Sequence, residues 1–345
     1  MPAEWAPHER TIMCWPARES LWEERFAEAE ADHAAVANAI AAFEPVLMIA
    51  DPRFAAEARR LCGDDVEVVE LPLDDSWARD SGPIFLTDGA GARAGVQFGF
   101  NGWGEKFTPY DNDARFATRV LELLGEERHD ATHMILEGGS IAVDGEGTLI
   151  TTEQCLLEQH RNPRLSREQI EAQLREQLGV ARVVWLGRGL VEDADTDGHV
   201  DNICAFVEPG RVVLQTVADE ANPNFEHCRE NLRRLRAAGL DVVELPWLPY
   251  VDGGEPPIVV PYTNFYVCNG GLIVPTRGRR PTPRRWRCSS RSIPAARPSR
   301  CRARRWRSGR RGPLHHAAGS RRLTVSAPSR GRRRRRRPAS RRWPA

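Results

Sequence analysis

Hydrophobic patterning stops at Thr276, and this boundary constrains the fold more than any other feature of the chain. Before it, short apolar runs of strand length alternate with segments of helical period. After it, residues 277–345 are dominated by Arg, Pro and Ser, contain no Asp or Glu, and include the unbroken arginine run Arg332–Arg337. Such a segment cannot bury enough apolar surface to offset the entropy lost on ordering. The sequence therefore assigns a folded domain to residues 1–276 and a disordered Arg/Pro-rich tail to residues 277–345. Read literally, the tail is a basic arm for nucleic acid or another polyanion.

Charge divides at the same boundary. The formal net charge of +1 averages two unlike parts: 26 of the 49 basic residues lie in the tail, leaving 23 against all 48 acids in residues 1–276, a net of −25. An acidic body attracts small cations and repels nucleic acid. Lys106 is the sole lysine, and so strong a preference for Arg, with abundant Ala, Gly and Pro, indicates GC-rich coding. Glu4, His8 and Glu9 interrupt the start of the chain, and nowhere do about 18 apolar residues run together. A cytoplasmic protein without a membrane partner is expected. The eight cysteines form no Cys-x-x-Cys pair, so neither a zinc site nor a disulfide framework is indicated, and thiols are expected to be reduced.

Strands are expected at Thr11–Trp15, Pro45–Ala50, Val66–Leu71, Pro83–Leu86, Ala94–Phe98, Ser140–Val143, Thr148–Thr151, Arg182–Leu186, Val200–Phe206, Val212–Thr216, Val242–Leu245, Asn264–Cys268 and Gly271–Val274. Helices fit Leu21–Phe43, Asp113–Leu124, Ser166–Leu178 and Asn224–Ala238. Ser166 followed three residues later by Gln169 has the form of a capping box. With two or three strands per helix, the pattern is too strand-rich for a doubly wound sheet. It fits mixed α/β units at a helix spacing that permits a repeated element.

Four polar clusters sit in glycine-flanked, half-apolar surroundings: Trp77-Ala78-Arg79-Asp80-Ser81-Gly82-Pro83, Glu137-Gly138-Gly139, Asp197-Gly198-His199-Val200-Asp201-Asn202 and Tyr262-Thr263-Asn264-Phe265-Tyr266. In an extended strand His199 and Asp201 would share a face. Paired carboxylates suit a planar cation, because each accepts two parallel N–H bonds from a guanidinium fork. Two acids and an imidazole make a guanidine-processing site.

The order of motifs is specific. Trp5-x-Pro7-His8-Glu9, Met13-x-Trp15-Pro16, Trp77-x-Arg79-Asp80-x-Gly82-Pro83, Phe100-Asn101-x-Trp103-Gly104-x-Lys106, Glu137-Gly138-Gly139, Gly198-His199-x-Asp201-Asn202 and Tyr262-x-Asn264-Phe265-Tyr266 together resemble the agmatine deiminase family over residues 1–276. The resemblance implies a five-bladed pentein α/β propeller of ββαβ-like repeats, its last unit incomplete here. It implies that Asp80 and Asp201 clamp the substrate guanidinium, that His199 is general acid and then base, and that Glu137 orients the imidazole or binds a guanidinium nitrogen. Asn264 would help to close the site, and Trp103 would cover the aliphatic part of the substrate. The implied reaction converts agmatine to N-carbamoylputrescine and ammonia, a step toward putrescine and the polyamines, through a cysteine adduct and with no metal or organic cofactor. A bacterial-type peptidylarginine deiminase and a non-catalytic guanidine or polyamine binder share the constellation; the acidic body and the lack of a leader favour a small cationic amine. A homo-oligomer is left open.

One departure is serious. Family members carry the nucleophile near the C-terminus in a stretch resembling Gly-Gly-x-His-Cys-Ile-Thr-Gln-Gln, and residues 277–345 hold no such setting. By strand parity Cys204 falls opposite His199 and Asp201, and Cys268 lies roughly 13 Å along the strand from Asn264, so neither substitutes. Coding explains the tail. GC-rich codons for Ile293 through Ser308, read in another frame, can encode a helix end, a strand and a turn. One codon choice for Arg310 to Ala318, read one base later, gives Gly-Gly-Ala-His-Cys-Ile-Thr-Gln. The tail is therefore read as a frameshift product, with one indel near Arg277 and another near Gly309, and His315 and His316 as its debris.

Overall fold

The computed structural model describes residues 1–248, 250–251 and 258–275, together with the backbone of two short strands at 297–300 and 324–327. Strands β1 (Thr11–Cys14), β2 (Val46–Ala50) and β3 (Val66–Glu70) form a parallel sheet with β2 in the middle, Val46 pairing with both Thr11 and Val66. Every residue of β2, Val-Leu-Met-Ile-Ala, is buried, as a parallel strand covered on both faces requires. Helices Phe26–Ala41 and Ala55–Leu61 make the crossovers.

The next three sheets repeat one unit, an antiparallel hairpin followed by a helix and a strand returning parallel to the second arm. In the first, β4 (Ile84–Thr87) and β5 (Arg93–Gly99) lead through helix Phe116–Leu124 to β6 (Glu127–Ile135). In the second, β7 (Ala142–Val143) and β8 (Thr148–Thr152) lead through helix Arg167–Leu178 to β9 (Arg182–Leu186). In the third, β10 (Cys204–Glu208) and β11 (Arg211–Gln215) lead through helix Phe225–Ala237 to β12 (Asp241–Leu245). The crossover helices are amphipathic: Phe116, Ala117, Val120 and Leu121 are the buried face of theirs. Burial of each large side chain there stabilises the unit by roughly 1.5–3 kcal/mol.

Two further strands, β13 (Tyr250–Val251) and β14 (Ile258–Val259), pair with each other. The hairpin of β15 (Tyr266–Cys268) and β16 (Gly271–Val274) begins the last sheet, which β18 (Thr324–Ala327) and β17 (Arg297–Arg300) extend in the order β15-β16-β18-β17. Apart from these two strands, the expectation of a disordered tail concerns residues outside those described, as do the arginine run and the paired histidines.

Neighbouring sheets share their cores. Leu47 and Ile49 pack with Phe116 and Val120, Val96 and Phe98 with Leu149 and Leu174, and Ile150 and Leu186 with Val212 and Leu214. Val46 and Met48 of the first sheet meet Cys268 and Ile273 of the last hairpin. Met13, Phe85, Val143, Phe206 and Tyr266, from the first strands of these five sheets, line one cavity of about 530 Å³.

Several sequence expectations need correction. The single helix over Leu21–Phe43 is broken: Glu19–Trp22 ends where Glu23 takes φ 49°, and a regular helix resumes only at Phe26. Strand β6 was not anticipated, because only Ala131 and Met134 of its nine residues are buried and its polar surface hides the pattern. Ser140 belongs to a 3₁₀ turn, Gly138–Ser140, leaving a two-residue strand where four residues were expected. Val200–Asn202 is likewise a 3₁₀ turn, and the strand begins only at Cys204. The Ser166 capping box is present as read. Among the described residues no helix is long and apolar enough to cross a membrane.

Candidate active site

Asp80 is aimed inward by a single helical turn, Ala78–Ser81, and is 2% exposed. Its Oδ1 accepts the Gly139 N–H at 3.0 Å and its Oδ2 accepts the Trp103 indole N–H at 3.1 Å. The glycine directly after Glu137 has a steric reason: a Cβ on Gly138 would lie 2.2 Å from the Arg79 carbonyl oxygen. The two motifs can touch only because that side chain is absent.

Trp103 lies in an uncommon turn. Gly102, Trp103, Gly104 and Glu105 all have positive φ, 64°, 57°, 78° and 65°. Left-handed backbone costs a non-glycine residue roughly 1–2 kcal/mol, so Trp103 and Glu105 are held there by surrounding contacts. Asn101 supplies one, its Oδ1 accepting the Gly104 N–H at 2.9 Å while its Nδ2 donates to the His160 carbonyl at 2.8 Å. Trp77, Phe100 and Phe107 pack edge-on against the indole at 5.0–6.0 Å between ring centroids.

His199 is presented by a loop organised around the buried carboxylate of Asp193. Its Oδ1 accepts the Thr196 N–H at 3.0 Å; its Oδ2 accepts the N–H groups of Gly198 and His199 and the amide of Asn202, each at 3.1 Å. The imidazole is fully buried, with Nδ1 3.9 Å from Asp80 Oδ1 and Nε2 3.7 Å from Glu137 Oε2. These are ion-pair separations, longer than hydrogen bonds. Glu137 is itself held by Arg161, whose Nε donates to its two carboxylate oxygens at 2.9 and 3.1 Å. Arg161 then spends Nη1 on Asp197 Oδ2 at 2.7 Å and Nη2 on the Thr196 carbonyl at 2.9 Å. Cys155 completes the cluster, its Sγ 4.0 Å from Glu137 Oε2.

The ionisation pattern follows from these neighbours. Burial pushes the Glu137 carboxyl up, but the Arg161 charge and the contact with His199 outweigh it and bring it down to about 2. Burial disfavours the His199 imidazolium, yet the Asp80 charge, aided by Cys155 and Glu137, holds its protonated form well above the usual histidine range. The Cys155 thiol is pushed up by burial, only partly countered by Arg161 and His199. Glu137, Cys155 and His199 place one donor atom each within 4.8 Å of the others, a set that could ligate zinc. The guanidinium bonded to the two Glu137 oxygens opposes a second cation there, and the arrangement is better suited to moving protons.

The structure thus brings Asp80, Glu137, His199 and Trp103 together. It does not support the strand argument for Asp201, since the 3₁₀ turn after His199 removes the alternation on which it rested. Asp201 and Asn264 line the adjoining cavity with Glu4 and Arg79. There the exposed Arg79 guanidinium bonds Glu4 at 2.6 Å, and the charges of Glu4, Asp201 and Asp80 favour its charged form. Trp103 differs from a simple cover, being a packed core residue and a hydrogen-bond donor to Asp80 at once. Cys204 and Cys268 are buried in the sheet cores, as expected of structural thiols. Sequence reasoning missed Cys155, Arg161 and Asp193, and it gave Asp197 no role although that residue opens the third polar cluster. Only Cys155 left a local signal: Thr152 caps the helix Glu153–Leu156 by accepting the Cys155 N–H at 3.1 Å, a strand-to-helix junction of a kind that houses functional thiols.

Comparison with known proteins matches this geometry to a family. The model of the Porphyromonas-type peptidyl-arginine deiminases matches residues 1–285. An agmatine deiminase from Stutzerimonas stutzeri (strain A1501) is 43% identical, with 81% of this chain and 83% of the relative covered. One from Pseudomonas aeruginosa (strain LESB58) is 42% identical over 80% of this chain and 83% of its own length. Among solved structures, the agmatine deiminase of Enterococcus faecalis superposes with a TM-score of 0.75 at 33% identity, covering 80% of this chain and 83% of that one. The C. Jejuni agmatine deiminase gives 0.71 at 29% identity, with 80% and 82% covered. These likenesses establish a pentein-type α/β fold.

Proposed function

This chain belongs to the Porphyromonas-type peptidyl-arginine deiminase family, and from that premise we propose that its site is built to hydrolyse the guanidinium of agmatine to N-carbamoylputrescine and ammonia. The observation that carries the reading is the buried His199 imidazole set between Asp80 on its Nδ1 side and Glu137 on its Nε2 side. Agmatine deiminases are the relatives at 43% and 42% identity.

Each group has a role in this reading. The guanidinium lies between Asp80 and Asp201; Arg79 supports this, because its own guanidinium already sits in the fields of both carboxylates. His199, held protonated, donates to the departing ammonia after a thiolate has added to the guanidinium carbon. The neutral imidazole then takes a proton from the water that cleaves the amidino-thioether, returning the thiolate and leaving the ureido product. Glu137 orients the imidazole, Trp103 closes the face above Asp80, and Asn264 borders the cavity beside Asp201. A buried Asp80 and His199 favour a small free cation over an arginine carried on a peptide. The cavity shared by five first strands supports a five-unit propeller ring, with residues 1–276 as its catalytic domain. A cytoplasmic enzyme is consistent with this substrate.

The thiolate is the missing part. Residues 277–345 contain no counterpart of the nucleophile stretch, and the family match ends at residue 285. Cys155 is fully buried, with its thiol raised and its sulfur toward an anionic carboxylate, so it is not poised to attack. The chain as written is therefore expected to bind agmatine and turn it over poorly or not at all. Calorimetric titration with agmatine, together with a ureido-product assay on this chain and on a frame-restored one, tests the proposal. Binding by both with turnover only in the restored chain supports it; no binding by either overturns it.

A further inference from the structure

The turn that carries Trp103 is fastened to the His199 loop through charge. Lys106, immediately after the left-handed turn, places its ammonium 2.6 Å from Asp197 Oδ1, 2.7 Å from the Ala194 carbonyl and 3.3 Å from that of Asp195. Asp197 Oδ2 receives Arg161 Nη1 at 2.7 Å, and Arg161 Nε holds Glu137, which faces His199 Nε2 at 3.7 Å. An unbroken series of ionic contacts therefore runs from the indole-bearing turn to the imidazole. Asp197 is its second member, the carboxylate that touches both Lys106 and Arg161. Its backbone is itself unusual for an aspartate, with φ 58°, followed by Gly198 at 80°. A conformation that L residues rarely adopt is maintained at the point where the two arms meet.

We propose that Asp197 is a positioning residue, a two-sided carboxylate that couples the seating of the Trp103 turn to the placement of Glu137 against His199. The inference rests on the reading of this site as a guanidine clamp. Its physical basis is that neither arm can move alone without leaving an ion short of its partner. If the Trp103 turn lifts away from Asp80, Lys106 withdraws from Asp197. Arg161 is then left with a different charge balance on its Nη1 side while still bonded to Glu137. Closure of the aromatic cover and alignment of the proton-handling groups thereby become one event.

The experiment uses the full chain and three variants: Asp197→Asn, Lys106→Met and Lys106→Arg. Asparagine tolerates the left-handed region, so the first removes charge while keeping the backbone. Lys106 is one-third exposed, and its variants touch neither Glu137 nor His199. Hydrogen exchange is followed at the Glu105 and Lys106 amides, which bond back to Asn101 and Gly102. The ring-nitrogen NMR signals of His199 are recorded alongside, assigned with His199→Gln. Asp197→Asn and Lys106→Met should speed exchange about tenfold and also displace the His199 signals, and Lys106→Arg should restore both. Faster exchange in Lys106→Met with unmoved His199 signals would overturn the coupling, as would no change in either quantity. Agmatine titration of the unaltered chain separately reports on the guanidine reading, so failure there is not confused with failure here.

Discussion

The indole N–H of Trp103 donates to Asp80 Oδ2 at 3.1 Å, while the other oxygen of the same carboxylate accepts the Gly139 N–H at 3.0 Å and faces His199 Nδ1 at 3.9 Å. A residue read from sequence as an aromatic cover is thus a ligand of the carboxylate it covers. On the proposed reading, the substrate guanidinium would approach a carboxylate that already holds the indole N–H.

Trp103→Phe removes the donor and part of the ring volume together. Asp80 loses a buried donor, which costs about 1–3 kcal/mol, and the space left in the core adds to that loss. Urea unfolding should show that loss, and agmatine should recover part of it by supplying guanidinium N–H groups in place of the indole. An unchanged midpoint would mean that the Trp103–Asp80 bond adds nothing to stability.

Arg161→Met leaves Glu137 buried without its cation. Breaking a buried pair from one side costs about 3–5 kcal/mol, so this variant should be among the most destabilised single substitutions in the site. Replacing both members, as Arg161→Met with Glu137→Gln, should recover part of the stability. A double variant no better than the single one would count against an uncompensated charge as the cause.

Acid sensitivity follows from the depressed Glu137 carboxyl. Its folded value of about 2 lies below its ordinary value of 4.5, so the unfolded chain takes up the proton first. Its stabilisation is complete above about pH 4.5 and is lost as pH falls toward 2. Glu137→Gln should flatten the acid limb of a stability–pH curve in that window, and an unchanged slope would contradict the assignment.

His199 carries the opposite sign. Its folded-state pKa is raised, so its contribution is present in full below the ordinary histidine value and disappears as pH climbs through the folded one. Ring-nitrogen NMR at pH 7 should find His199 as imidazolium, and Asp80→Asn, which removes the largest favourable charge, should shift its titration downward. A neutral ring at pH 7 in the unaltered chain would refute the general-acid role.

Cys155→Ala tests whether the thiol nearest His199 is structural. In a frame-restored chain this variant should keep turnover within about an order of magnitude, whereas loss of a true nucleophile removes about three or more. Adduct formation at Cys155 by an amidine electrophile, read by mass spectrometry of the chain as written, would argue that the buried thiol can serve.

The amino-acid sequence by itself determined most of the strands and crossover helices, and it picked out Asp80, Glu137 and His199, which the fold brings together. Those features are local or arise from motif order, and apolar period, capping residues and glycine positions write them directly into the chain. Tertiary structure decided the rest. The strand expected through Asp201 gave way to a 3₁₀ turn, and β6 went unseen because most of its side chains face solvent. Cys155, Arg161, Asp193 and Asp197 act through partners distant along the chain, or in the folding of a loop on itself. Burial and the charges brought beside a side chain set its chemistry, and both exist only once the sheets have packed together.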